Sequence, residues 1–242
     1  MSRLRPYRSS LLAIVLGSAL LVGQAPLLAQ ASVKKPTASS VLKALKSALA
    51  KESGVHITVS SKSGTTFNSV VADLGTKGGS ETFISGKSNI KISVTPTYAY
   101  LSGNASGLTT LVGLTAAQQK LVGTKSIAMK AGTSPYTSFK SNLTTTAFAA
   151  FLPTSKGIVL SRDKYRHYVL TWSTKATSTI QKSTSVLTIS SGKKTLPIKE
   201  VVSSKTGGGT TKFSKWGESA VGPTPSAAST ISYSKVIKAV NG

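Results

Sequence analysis

Few side chains in this chain of 242 residues could supply a carboxylate, an imidazole or a thiol to catalysis or metal binding: six acidic residues, two histidines and no cysteine. The acids are Glu52, Asp73, Glu81, Asp163, Glu200 and Glu218. No two stand at a spacing that would force them together, so a paired-carboxylate mechanism has no support. The sequence contains no HExxH, Gly-x-Ser-x-Gly, P-loop or dinucleotide-binding motif. We therefore predict a protein that is not an enzyme and that uses no metal or cofactor.

One catalytic alternative stays open, because residues distant in sequence can converge in a fold. His167 stands in Arg166-His167-Tyr168, at the start of a predicted strand. Paired with a serine, it would be the only plausible nucleophile–base arrangement, that of a hydrolase. A surface histidine at a strand edge is the simpler interpretation.

The first 31 residues are typical of a secretory signal peptide. They comprise three basic residues, an apolar run and a small-residue site, namely Arg3, Arg5 and Arg8, residues 11–22, and Ala29-Gln30-Ala31. The apolar run is too short to span a membrane, although a retained anchor is the alternative. We predict cleavage after Ala31 and a single domain over residues 32–242, located outside the cytoplasm in the secreted or cell-envelope space. Ser32 stands where bacterial lipoproteins have their lipid-bearing cysteine, so we expect no lipid anchor.

The chain is strongly basic, with a formal charge of +24 that becomes +21 without the three signal-segment arginines. Such a charge attracts polyanions, and in an exported protein these would be anionic membrane or wall surfaces. Arg162 and Arg166 are the only arginines that remain after cleavage. Arginine is the side chain that most often recognises a base through two hydrogen bonds, so we expect no nucleic-acid partner. Lysines scattered among serines and threonines also fit a merely solvated surface.

The elements that would position these side chains follow from the apolar periodicity. Helical spacing predicts an amphipathic helix over residues 39–51, capped by Ser39 or Ser40. After Gly54 the period becomes two, which predicts strands near residues 57–59, 67–71, 82–84, 90–94, 98–101, 157–160, 168–172, 185–189, 196–202 and 211–216. Short helices are predicted over 105–153, the best formed at residues 116–122, and the tail from Pro223 is predicted to be extended. This pattern predicts an antiparallel sheet with one solvated and one covered face.

Three segments resemble a known family. They are Phe213-Ser214-Lys215-Trp216-Gly217-Glu218 with Pro223 and Pro225, the stretch Pro96-Thr97-Tyr98-Ala99-Tyr100-Leu101-Ser102-Gly103, and Leu196-Pro197-Ile198. In this order they resemble the lipid-carrier lipoproteins of actinobacteria, of the LppX and LprG type. The resemblance implies an α+β fold, a LolA-like half-barrel in which short helices cover the concave face of a curved antiparallel sheet and enclose an apolar cavity. The anchor cysteine of that family is absent here.

The candidate ligand-binding residues are apolar side chains of the predicted covered face and of the helical insert. They are Ile57, Val59, Ile90, Ile92, Val94, Tyr100, Leu111, Phe148, Ala149, Phe151, Leu152, Leu170 and Trp172. Either neighbouring side chains fill the space over this face, or a ligand does. Phe148, Phe151 and Leu152 are candidates for a mobile lid, with a simply packed helix as the alternative.

These observations predict a secreted, monomeric, non-catalytic protein that binds a lipid or other apolar ligand and carries it in the cell envelope. The alternative is a basic envelope-associated protein with a filled core that binds anionic wall polymers or membrane surfaces by charge. Salt distinguishes the two functions, because screening weakens charge-driven association but not the burial of an acyl chain.

Overall fold

The computed structural model describes residues 35–146, 152–154, 157–174 and 182–239. The predicted signal peptide, residues 1–31, lies outside the described residues.

The first element of the described structure is the predicted amphipathic helix, α1 (Ala38–Leu49). Its buried side chains recur at helical spacing, at Val41, Leu42, Leu45 and Leu49. The cap is Thr37 rather than Ser39 or Ser40: its hydroxyl accepts a bond from the Ser40 N–H at 3.2 Å, and the Ser40 hydroxyl accepts one from the Thr37 N–H at 2.9 Å. Both side chains thus satisfy backbone donors that the first helical turn leaves unpaired.

A single open sheet of twelve strands forms the body of the described structure. The strands are β1 (Gly54–Ser63), β2 (Thr66–Gly75), β3 (Gly79–Ser85), β4 (Ser88–Val94), β5 (Tyr98–Gly103), β6 (Ser126–Lys130), β7 (Val159–Arg162), β8 (Tyr168–Thr174), β9 (Ser183–Ile189), β10 (Pro197–Ser204), β11 (Gly207–Ser214) and β12 (Thr230–Ser232). Their order across the sheet is β12-β6-β5-β4-β3-β2-β1-β11-β10-β9-β8-β7. All neighbours are antiparallel except β12 and β6. The predicted α+β class with an open antiparallel sheet is confirmed.

Short helices connect the strands. They are α2 (Ala105–Gly107), which continues as a π-helix (Leu108–Val112), α3 (Ala116–Val122), α4 (Ser134–Asn142), a 3-10 turn (Ala227–Ser229) and α5 (Tyr233–Lys238). The bounds of α3 are those predicted from the sequence. A side chain at Gly107 would collide with the backbone of Asn89, so glycine lets α2 lie directly on β4.

The structure differs from the predicted elements in three places. Strand β6 lies inside the 105–153 stretch that was predicted to be helical, and the tail that was predicted to be extended contains β12 and α5. Strand β11 begins at Gly207, four residues before the start predicted at residue 211. β6 and β12 have five and three residues, which is too short for a periodic signal, and they exist because they pair with neighbouring backbone.

The two faces of the sheet are separated by the strict alternation of side chains. Residues opposite one another in adjacent strands share a face, and one such row reads Leu101, Ile92, Glu81, Ala72, Ile57, Phe213. We call the face that contains this row the covered face, and the opposite side the outer face. The apolar side chains of α1 belong to the same core cluster as the covered face.

Candidate binding face

The covered face is apolar across most of the width of the sheet. A second row of cross-strand partners lies beside the first one and reads Ile90, Phe83, Val70, Val59, Thr211, Glu200, Leu187, Leu170. Every member of this row is buried. The two rows form one continuous surface of mostly branched and aromatic side chains, interrupted by a small number of polar groups.

Most of the predicted ligand-binding residues come together on this face. Those whose side chains are buried there are Ile57, Val59, Ile90, Ile92, Val94, Leu170 and Trp172. Leu152 is also buried in the same core cluster, and Leu111 of the π-helix packs against it partly exposed. Phe148, Ala149 and Phe151, which include two of the three lid candidates, lie outside the described residues.

Tyr100 is separated from the other candidates by the register of β5. Leu101 pairs with Ile92 of the covered face, whereas Tyr100 pairs with Ser93 and Ala128. Its side chain therefore lies on the outer face, where its ring stacks on that of Tyr98 at a centroid distance of 5.9 Å. Placing Tyr100 on the covered face was wrong. The segment Tyr98-Ala99-Tyr100-Leu101 is apolar at both alternations, so only the pairing decides which residues point inward.

The tyrosine pair forms part of a groove of about 700 Å³ on the outer side of the sheet. The C-terminal segment supplies the opposite wall through Thr224, Pro225 and Tyr233. Tyr100 is buried on the outer face, so burial alone does not distinguish it from the covered-face residues.

Basic residues are excluded from the covered face in the central strands. The lysines of the described strands all occupy the outer-face alternation: Lys62, Lys91, Lys130, Lys199 and Lys212. Arg162, the last residue of the edge strand β7, is exposed and lies over the Tyr168 ring at 4.3 Å. The strand lysines are therefore separated by the sheet from its apolar surface, whereas Arg162 shares the alternation of Tyr168 and Leu170.

Two carboxyl groups, in contrast, are buried on the covered face. Burial raises the pKa of Glu81 from 4.5 to about 7 and the pKa of Glu200 from 4.5 to about 8. The Ser185 hydroxyl on the adjacent strand acts in the opposite direction and lowers the pKa of Glu200, but burial is the larger effect. At neutral pH Glu200 is therefore largely protonated, and the face carries little negative charge there.

Glu200 belongs to a group of buried polar atoms that sequence reasoning missed. Both its carboxyl oxygens, the Thr211 hydroxyl and the Trp172 indole N–H lack a hydrogen-bond partner of standard geometry within the described structure. A glutamate that directly follows Lys199 is expected to be exposed, so residue type alone does not indicate that Glu200 is buried. The available signal was the alternation of Glu200 with Val202 on one side of β10, which pairing assigns to the covered face.

Both histidines pair with aspartates rather than forming a metal site. His56 Nδ1 lies 2.7 Å from Asp73 Oδ1, and His167 Nδ1 lies 2.9 Å from Asp163 Oδ2 in the β7–β8 turn. No cluster of three metal-ligating side chains exists in the part of the chain that the structure describes. No serine hydrogen-bonds to His167 among those residues, so the hydrolase alternative gains no geometric support.

Comparisons with known proteins give weak likenesses only. No protein-family model and no curated protein matches the chain. The crystal structure of the Mycobacterium tuberculosis lipoprotein LppX matches with a TM-score of 0.41 and 10% identity, and that of LprF from Mycobacterium bovis with 0.42 and 14%. Each match covers 78% of this chain and 97% of the other.

LppX, one of the lipoproteins that the sequence resembles, is among the matched structures. The architecture described above rests on strand order and register. Among the described residues no helix has both the length and the apolarity needed to cross a membrane. The chain is similar to LppX and LprF at the level of an open antiparallel sheet with a few helices.

Proposed function

We propose that this protein binds a lipid or another apolar molecule on the covered face, without catalysing a reaction, and acts outside the cytoplasm. The observation that carries the proposal is the continuity of the covered face, which stays apolar from β6 to β8 and excludes every strand lysine. Export is supported by the residues of the N-terminal segment alone.

α1 alone does not cover this face, although the side chains of its central rows are already buried. Eleven strand spacings of about 4.8 Å make the sheet roughly 50 Å wide, whereas a helix of twelve residues is about 18 Å long and about 10 Å across. Burial of an acyl chain there would contribute about 0.8 kcal/mol for each methylene group before ordering costs. A ligand of ten or more carbons would thus bind without any ionic contact.

A substitution at the middle of the face tests the proposal. Ala72 is fully buried on β2 between Ile57 and Glu81, and its neighbour Val71 is 41% exposed on the outer face. Ala72→Phe should fill space that the ligand uses, reducing binding of a fluorescent fatty-acid probe while changing the melting temperature little. Val71→Phe, the matched control, should leave probe binding intact.

The opposite pattern would contradict the proposal. A core already filled by side chains should be destabilised by about 1–3 kcal/mol when Phe is inserted at Ala72. Loss of stability in that variant, together with a wild-type protein that binds no probe, would identify the covered face as ordinary core.

A second candidate function is supported by the outer-face lysines, which could bind anionic wall polymers or membrane surfaces by charge. The two functions respond differently to salt, because exposed charges are screened within about 10 Å at 0.1 M salt. Mass spectrometry of organic extracts from protein purified in high salt separates them. A stoichiometric lipid that survives the wash supports apolar binding, and lipid-free protein that adheres to anionic surfaces only at low salt supports the second function.

A further inference from the structure

Three hairpin turns lie side by side at one end of the sheet. They connect β1 to β2, β3 to β4, and β10 to β11, and these three pairs are neighbours in the strand order. Backbone hydrogen bonds join the turns, since the Gly64 N–H donates to the Thr206 carbonyl at 3.1 Å and the Gly86 N–H donates to the Phe67 carbonyl at 3.0 Å. We call residues 62–67, 84–88 and 203–208 the hairpin end. Its three turns form one continuous surface.

The hairpin end exposes two large apolar side chains. Phe67 is 67% exposed, although phenylalanine is among the residues most often buried. It pairs with Lys62, whose ammonium group lies over the ring at 5.2 Å and leaves most of it open. Ile84, 40% exposed, pairs with Ser69, which places it diagonally across from Phe67 on the outer side of the sheet.

The hairpin of β1 and β2 also projects beyond its neighbour. β1 and β2 have ten residues each, whereas β3 and β4 have seven. The last residue of β3, Ser85, pairs with Asn68, so Phe67 lies one residue past the end of β3. A side chain built at Gly64 or Gly86 would meet no other atom within 4 Å, so both turns face open space.

Lysines surround these apolar side chains, and acidic residues are absent from the turns. Lys182 directly precedes Ser183, which pairs with Ser204 beside the β10–β11 turn. Residues 60–70, 82–90 and 201–210 contain no aspartate or glutamate. An anionic partner would therefore meet several positive charges and no compensating negative charge from these segments. The exposed lysines at this end are Lys62, Lys87, Lys182 and Lys205.

We propose that the hairpin end binds an anionic lipid bilayer, with Phe67 inserted at the level of the headgroups and upper acyl chains and the lysines bound to lipid phosphates. The proposal does not depend on a ligand at the covered face. It rests on the second candidate function, binding by charge, and adds to it a defined site and a defined partner.

A bilayer is the partner that offers both kinds of chemistry found at the hairpin end. Lysines near an anionic membrane surface each contribute about 1 kcal/mol of attraction, which falls off within a Debye length. The region just below the headgroups takes up an aromatic side chain and so removes the Phe67 ring from water. A wall polymer supplies phosphates but no apolar phase, so it would leave Phe67 exposed.

Sedimentation with vesicles of phosphatidylglycerol and phosphatidylcholine tests the insertion of Phe67. At about 0.1 M salt, Phe67→Ser should lower the partition coefficient of the exported protein about tenfold, because the ring no longer leaves water. Phe67→Leu keeps an apolar side chain and should stay within about threefold of the wild type. Tyr165→Ser is the matched control: Tyr165 is also 67% exposed, but it lies in the β7–β8 turn at the opposite end of the sheet, and its variant should bind as the wild type does.

Polyphosphate carries negative charge without an acyl phase, so it separates charge attraction from insertion. The wild type and Phe67→Ser should bind immobilised polyphosphate equally. Wild-type vesicle binding that is unchanged in Phe67→Ser, or is weakened equally in Tyr165→Ser, would overturn insertion at the hairpin end. A wild-type protein that binds polyphosphate but not vesicles would overturn it as well and leave binding by charge intact. Failure to bind either one would contradict the second candidate function together with the proposal.

Discussion

At the scale of single residues, Glu200 shows how strongly the covered face changes the chemistry of a side chain. Its carboxyl group is fully buried on a sheet surface made mostly of aliphatic and aromatic residues. Desolvation disfavours the charged form, and the adjacent Ser185 hydroxyl compensates only partly, so the pKa rises to about 8. The side chain therefore behaves at neutral pH as a neutral hydrogen-bonding group.

This raised pKa makes folding stability depend on pH. Between pH 4.5 and about 8 the unfolded state has released the Glu200 proton and the folded state has kept it, so unfolding releases a proton. The free energy of unfolding should then fall as pH rises through this window, by up to about 1.4 kcal/mol per pH unit, and level off above it. Glu81 adds a similar decline between pH 4.5 and about 7.

Glu200→Gln should flatten this decline, because the amide does not titrate. Urea unfolding at pH 5, 6, 7 and 8 measures the slope for the wild type and the variant. Glu218→Gln, which removes an exposed acid, is the control and should keep the wild-type slope. A slope that is identical in the wild type and in Glu200→Gln would show that this carboxyl is not protonated in the folded protein.

At the scale of elements, the sequence predicts what local periodicity determines and misses what only pairing determines. Helix α3 has its own capping box, with Thr115 and Gln118 bonding to each other's backbone N–H groups, and its bounds were predicted correctly. Strand β4 shows clear alternation at Ile90, Ile92 and Val94 and was found for the same reason. β6 carries too few residues to show a period, so its place beside β5 could not be foreseen.

The candidate face was predictable to the same extent. The alternation of apolar and polar residues in β1 and β4 was enough to predict which of their side chains lie on the covered face. Tyr100 could not be assigned to a face, because β5 is apolar on both sides. Glu200 was missed for the opposite reason: a charged residue beside Lys199 is assigned to solvent by default. Its burial depends on the register of β10 with β9 and β11, which involves residues far apart in sequence.

The cap of α1 gives a prediction at this scale. Thr37→Ala removes the hydroxyl that accepts the Ser40 N–H and should lower the free energy of unfolding by about 1 kcal/mol. Chemical denaturation should show a lower midpoint with an unchanged dependence on denaturant concentration. Ser39→Ala, an exposed position of the same helix whose side chain is not part of the cap, serves as the control and should change stability by no more than about 0.5 kcal/mol.

At the scale of the whole molecule, the sheet separates two surfaces that could each bind something. The outer face carries the strand lysines, and the covered face carries the apolar rows and the buried Glu81 and Glu200. A basic surface would bring the protein to anionic membranes by long-range attraction, which depends on salt. An apolar ligand on the other side of the same sheet would be unaffected by that attraction.

This separation predicts that the two kinds of binding can be lost independently. Lys91→Glu combined with Lys212→Glu changes the charge of the outer face by four units at exposed positions on β4 and β11. The double variant should sediment less with anionic phospholipid vesicles at 0.05 M salt, by several-fold, and should bind the fluorescent fatty-acid probe as the wild type does. Ala72→Phe should show the reverse, with weakened probe binding and normal sedimentation. If the lysine variant lost probe binding as well while remaining folded, ligand and surface charge would be coupled, and the lysines would have to be placed at the entrance to the covered face rather than on an independent surface.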